Sequence, residues 1–123
     1  MHPVGSKILV VEDDESMREL LRMHLSAAGY DVRIAEDGIA AGYAVLKTTP
    51  DLIICDIEMP NMDGLQFVAA LREDKSLPKI PVIFLTSHEE SDSRARELGA
   101  CAFLTKPVLA DWLLTEVQRA LSA

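Results

Sequence analysis

Three short blocks, Ile8–Val11, Leu52–Cys55 and Val82–Leu85, are apolar at every position and rich in β-branched residues. A strand covered on one face alternates apolar and polar residues. A run that is apolar throughout belongs in a strand covered on both faces, as in a parallel sheet. Val32–Ala35 and Cys101–Leu104 are weaker strands of the same kind. Between these blocks the apolar positions change to helical spacing. Met17, Leu20, Leu21, Leu25 and Ala28 form a stripe, and Gly29 is placed to end that helix. Its start is open between Asp14 as a cap and a capping box of Ser16 with Glu19. Residues 38–48, 64–75, 89–98 and 109–121 read as four further helices. In the last, Leu109, Leu113, Val117 and Leu121 recur every four residues and would face the sheet. Strand and helix therefore alternate through five βα units. Right-handed crossovers then give an α/β fold, a doubly wound parallel sheet with helices on both faces.

Composition narrows what such a fold can do here. The chain has 123 residues, 49% hydrophobic and 26% charged, which suits one core and leaves little room for a second. A net charge of −8 opposes phosphate backbones and anionic lipid, so direct nucleic-acid binding and membrane binding are not expected. No apolar run approaches the ~18 residues of a membrane span, and Met1–Lys7 lack a signal-peptide core. The expected compartment is the cytoplasm. Cys55 and Cys101 fall on strands three and five, ~9–10 Å apart and beyond disulfide reach, so both are expected as buried thiols. His2, His24 and His88 have no ligand spacing, which argues against zinc. Met59 and Met62 read as loop packing, and Trp112 as a half-buried neighbour of the last helix's core stripe.

Ligand chemistry in doubly wound folds collects at the carboxyl ends of the strands. Strand one ends in Glu12-Asp13-Asp14, strand three in Asp56, strand four in Thr86-Ser87, and strand five in Thr105-Lys106-Pro107. Two carboxylates ~5 Å apart repel by roughly 3 kcal/mol at an effective dielectric near 20. A cluster of them raises a pKa or recruits a cation, and hard oxygen ligands suit Mg²⁺. Lys106 offers a point charge for a phosphoryl oxygen, and Thr86 a hydroxyl donor. Any one of these residues could merely cap the next helix. Capping does not require four strand ends to carry complementary groups for phosphoryl transfer.

The stretches Ile8–Asp14 (ILVVEDD), Pro50–Gly64 (PDLIICDIEMPNMDG), Pro81–Ser87 (PVIFLTS) and Phe103–Pro107 (FLTKP) resemble the receiver domains of two-component response regulators, of the chemotaxis-regulator type. The resemblance runs from about Lys7 to Leu121. It implies a flavodoxin-like five-stranded sheet in the order 2-1-3-4-5 with five helices. It implies a single receiver domain over 1–123, core about 7–121, with no output domain in this chain. It also implies phosphorylation of Asp56 by a histidine kinase or histidine phosphotransfer protein. Glu12 and Asp13 match the acidic pair that holds Mg²⁺, with Asp56 and the backbone carbonyl of Glu58 as further ligands. Thr86 and Lys106 match the groups that grip the phosphoryl group, and Phe103 matches the switch aromatic. Lys106-Pro107 matches a bond that is cis in the family. Through helix four, strand five and helix five the family docks targets, controls an output domain or forms a phosphorylation-dependent homodimer. Glu58 and His88, each two residues beyond a reactive position, flank the path of hydrolytic water and are expected to tune the lifetime of the phosphorylated state.

The chemistry agrees with the resemblance. Phosphoryl transfer asks mainly for positioning and charge neutralisation, and Asp56 is expected to be ionised near pH 7 without a partner base. In the loop Met59–Gly64, Pro60 fixes one torsion and Gly64 is expected to permit a positive one. Other readings fit less well. A Mg²⁺-dependent phosphatase of the haloacid dehalogenase type also uses an Asp nucleophile, within Asp-x-Asp-x-Thr. Here Glu58 stands at the second acid, Pro60 stands where Thr is needed, and no cap domain is available. A flavin carrier of this topology needs a Ser/Thr/Gly phosphate loop after strand one, where this chain is acidic. A docking module without chemistry would not need every reactive position filled. The expected protein is a signalling switch, catalysing only its own phosphorylation and dephosphorylation.

Overall fold

Strands β1 (Lys7–Val11), β2 (Asp31–Ala35), β3 (Leu52–Asp56), β4 (Val82–Thr86) and β5 (Ala102–Thr105) alternate with helices α1 (Glu15–Ala27), α2 (Gly38–Lys47), α3 (Gly64–Glu73), α4 (Asp92–Glu97) and α5 (Ala110–Ser122) in the computed structural model. The structure describes residues 5–87 and 92–122. All four strand pairings are parallel, and the sheet order is β2-β1-β3-β4-β5. The doubly wound fold is as the apolar pattern predicts, and the strand order is the one the resemblance implies.

The continuous apolar blocks are buried on both sides because successive residues feed two cores. Leu9, Val11, Ile53, Cys55, Val82 and Phe84 point to one side, where Val45 of α2, Phe67 and Val68 of α3 and Ala95 of α4 meet them. Ile8, Val10, Leu52, Ile54, Ile83 and Leu85 point to the other, against Leu21 and Leu25 of α1 and Leu113 and Val117 of α5. Each such side chain removed from water contributes roughly 1.5–3 kcal/mol. This two-sided packing is what holds the strand ends in one row.

Aspartates set the starts of α1, α2 and α3. Asp14 accepts a hydrogen bond from Met17 N at 2.8 Å and caps α1, which settles its start. Glu19, the other candidate's acid, pairs with Arg22 instead. Asp37 caps α2 through Ala40 N at 2.8 Å. Asp63 and Gln66 form a reciprocal capping box at the start of α3. Gly29, with φ +98°, ends the α1 turn as expected.

Several sequence expectations need correction. Leu109 lies before α5 and is 66% exposed. A spacing of four overshoots a helical turn by about 40°, so four such residues drift about 120° around the axis and cannot all face the sheet. Leu113 and Val117 do, Leu121 packs at the margin, and Leu109 turns out. Leu20 and Ala28 likewise fall outside the buried face of α1. Trp112 keeps 40% exposure and counts among the exposed large side chains. Cys55 is buried and Cys101 exposed, both as free thiols. β5 is one of the two edge strands and starts one residue after Cys101, whose N–H bonds Val82 O while its side chain faces out. The expected start of the fourth helix at 89, and His88, lie outside the described residues.

Candidate functional site

The parallel register carries the site. Val11 pairs with Cys55, Asp56 with Leu85, and Thr86 with Thr105. One step further along each strand, Glu12, Asp56, Thr86 and Lys106 come together on the carboxyl rim. Carboxylate oxygens of Glu12, Asp13 and Asp56 lie within 4.8 Å of one another. Glu12 and Asp56 are fully buried while Asp13 is exposed, so the cluster opens to solvent on one side. Lys106 Nζ stands 3.1 Å from Asp56 Oδ2 and 3.2 Å from Glu12 Oε1. Lys106 N also bonds Thr86 O at 2.8 Å, which fixes the end of β5 against β4. The Lys106–Pro107 bond is cis, as the resemblance implies.

The electrostatics follow from burial and crowding. Burial, then the adjacent Glu12 charge, push the Asp56 carboxyl up to about 7 against the pull of Lys106. This corrects the expectation that Asp56 is already ionised near pH 7: without a further cation it is only partly so. Burial works against the Lys106 charge, but the hydrogen bond and charge of Asp56, with Glu12 behind it, outweigh that and raise its pKa. Burial and the same carboxylates push the Cys55 thiol well up, so it is inert packing beneath the site. Among the described residues, Asp56 Oδ1 and Glu12 Oε1 are buried without a hydrogen-bond partner, the latter holding an ion pair with Lys106. Buried oxygens of this kind normally find a donor or a cation. Three carboxylates, one of them open to solvent, suit a hard divalent ion that keeps some of its waters.

Gly64 is needed for a reason other than the expected positive φ. It begins α3, and a Cβ there would lie 2.2 Å from Asp56 O and 3.0 Å from Cys55 Sγ. The left-handed position in this loop is Asn61, with φ +71°. Close approach of α3 to the end of β3 therefore needs glycine at residue 64.

Phe103, opposite Phe84 in the register, is half-buried at the margin of the core shared with α2, α3 and α4. The Glu58 side chain is more engaged than its sequence position suggests. Thr86 Oγ1 donates to Glu58 Oε2 at 2.7 Å, and Ser87 N donates to Glu58 Oε1 at 2.7 Å. The sequence reading missed the Ser87 amide as a site donor. Its only signal was adjacency to Thr86, since a backbone N–H carries no side-chain signature.

Among the described residues no helix is long and apolar enough to cross a membrane. Residues 8–118 match the response regulator receiver domain family. The chain is 39% identical over 106 residues to the alkaline phosphatase synthesis transcriptional regulatory protein PhoP of Bacillus subtilis, covering 85% of this chain and 43% of that protein. It is 34% identical over 114 residues to the DNA-binding dual master transcriptional regulator RpaA of Synechocystis, covering 91% and 47%. It thus spans about half the length of the curated relatives it matches. Among solved structures, the chemotaxis protein CheY4 of Vibrio cholerae superimposes with a TM-score of 0.89 at 35% identity, covering 95% of this chain and 99% of that one. A response regulator from Chloroflexus aurantiacus gives 0.91 at 30% identity, covering 97% and 99%. The matched residues take in all five strands but for Lys7, and the strand ends carry the cluster described above: this chain belongs to the response regulator receiver domain family of two-component signalling.

Proposed function

We propose that this chain is a cytoplasmic signalling switch that accepts a phosphoryl group on Asp56 from a histidine kinase or histidine phosphotransfer protein. The observation that carries the reading is the Asp56 carboxylate itself. It is buried, its Oδ1 has no hydrogen-bond partner among the described residues, its Oδ2 lies 3.1 Å from Lys106 Nζ, and Glu12 and Asp13 crowd it. In the transfer, an Asp56 oxygen forms a bond to phosphorus as the N–P bond to the donor imidazole breaks, and the imidazole keeps the electron pair. Lys106 neutralises charge on the entering oxygens, and the Thr86 hydroxyl donates to one of them. Glu12, Asp13, Asp56 and the Glu58 carbonyl would hold Mg²⁺, which supplies charge neutralisation for the anionic phosphoryl group.

The modified site then acts on the surface of α4, β5 and α5. Movement of Thr86 toward the phosphoryl oxygens would open space for Phe103 to turn inward. Phe103 lacks a phenolic hydroxyl, so no such hydrogen bond fixes its outward state. The remodelled face would control a protein target or an output domain, or form a homodimer. Two relatives are described as transcriptional regulators, one of them DNA-binding. For the domain itself a net charge of −8 disfavours direct contact with nucleic acid. We place the functional unit within 1–123 as one receiver domain, with Glu58 and His88 tuning the lifetime of the phosphorylated state.

The test is labelling with a small phosphodonor and Mg²⁺. One acid-stable, base-labile phosphoryl group per chain is expected, and Asp56→Asn should abolish it. Undiminished labelling of that variant refutes the assignment.

A further inference from the structure

The Glu58 carboxylate extends from the loop after β3 to the end of β4 and takes two donors at once. It accepts from the Thr86 hydroxyl through one oxygen and from the Ser87 amide through the other, both at 2.7 Å. The amide bond is short for an N–H donor, as bonds to an ionised acceptor are, and the hydroxyl bond has the usual length. A hydroxyl and the next backbone amide, converging on the two oxygens of one anion, form a small anion cradle. Lys106 takes no part in it, being engaged with Asp56 and Glu12. A phosphoryl group presents oxygens of the same kind, and Thr86 is the donor already assigned to grip it.

We propose that Glu58 is an internal competitor for the phosphoryl group: its carboxylate occupies the Thr86 hydroxyl and Ser87 amide, and a phosphorylated Asp56 gains those donors only by expelling it. The proposal rests on the phosphoacceptor reading of Asp56 and adds a positioning residue to it. Two features make the exchange feasible. Glu58 is half-buried, so once released its carboxylate reaches water rather than remaining as a stranded buried charge. An anionic phosphoryl group would also repel it, so the two cannot share the cradle. Glu58 thereby sets a threshold that the modification must exceed before Thr86 can move.

The experiment uses the full chain and the phosphoryl analogue made from beryllium chloride, excess fluoride and Mg²⁺. Glu58→Ala removes the competitor but keeps the backbone carbonyl; Glu58→Gln keeps the shape and removes the charge. Loss of a charge-assisted pair of bonds to the competitor should tighten binding of the analogue by about tenfold in Glu58→Ala, with Glu58→Gln between it and wild type. A second readout needs neither metal nor analogue. In the amide NMR spectrum of the metal-free chain, the Ser87 N–H should move upfield in Glu58→Ala as its short hydrogen bond is lost. Unchanged or weaker analogue binding by both variants, or an unmoved Ser87 amide, overturns the competitor role while leaving the phosphoacceptor reading intact. Failure of the wild-type chain to bind the analogue and to be labelled on Asp56 overturns both.

Discussion

Replacing Asp56 with Asn should stabilise the metal-free domain by an amount that grows as pH rises from 3.8 to about 7. The side chain is 1% exposed, and its carboxyl is raised from an ordinary 3.8 to about 7, chiefly by burial and by Glu12. The folded chain keeps this proton up to about 7, whereas the unfolded chain releases it near 3.8. Folding therefore takes up a proton between those values, and stability falls as pH rises through that window. The contribution is fully present below 3.8 and lost once pH passes about 7. A rise of that size corresponds to a ceiling of about 4 kcal/mol. The value near 7 already contains the pull of Lys106, whose ammonium keeps Glu12 at 3.2 Å after the change; relaxation and water entry around the buried carboxylate bring the realised gain to about half of the ceiling. The net expectation is about 2 kcal/mol at pH 8, which for a domain of this size raises the melting temperature by about 8 °C. Near pH 4 the two proteins should melt within about 2 °C of each other, since a protonated Asp56 and an Asn carry the same charge. Thermal melts in chelator between pH 4 and pH 8 measure this directly. A destabilised Asn variant, or a gain that does not change with pH, would refute the electrostatic account.

Asp13→Asn should weaken Mg²⁺ binding and phosphorylation while leaving metal-free stability equal or higher, because it relieves repulsion in a cluster whose oxygens lie within 4.8 Å; undiminished Mg²⁺ titration or a marked loss of metal-free stability would count against it. Phosphorylation should shift the amide resonances of residues 86 and 103 and of the α5 start together, and unchanged shifts there in a fully labelled sample would end the coupling idea. Gly64→Ala should cost about 3 kcal/mol, read as a lowered denaturation midpoint, because its Cβ would meet the Asp56 carbonyl oxygen at 2.2 Å and backbone must move.

Much of this protein is local and therefore legible in its sequence. Ile8–Val11, Leu52–Cys55 and Val82–Leu85 announce strands covered on both faces because burial acts on each residue by type. The alternation with helical spacing then leaves few topologies, and the rim chemistry of Glu12, Asp13, Asp56, Thr86 and Lys106 follows from where strands end. Even here local pattern has limits. The spacing of Leu109 with Leu113 promised a buried face, but angular drift along the helix puts Leu109 in solvent. Cys101 matched a strand, yet it stands before an edge strand, with its thiol exposed.

What the tertiary structure alone decided depends on distances between residues far apart in the chain. Gly64 is required because α3 returns onto the backbone of Asp56, not because of its own torsion. The pKa of Asp56 depends on how deeply β3 is covered and how closely Glu12 approaches, and neither is a property of the residue. Glu58 reaches Thr86 across 28 positions of sequence, using a backbone amide at Ser87 that no residue type encodes. Periodicity and propensity report the energetics of near neighbours in the chain; desolvation, close approach and shared hydrogen bonds arise only once the sheet has brought distant strand ends together.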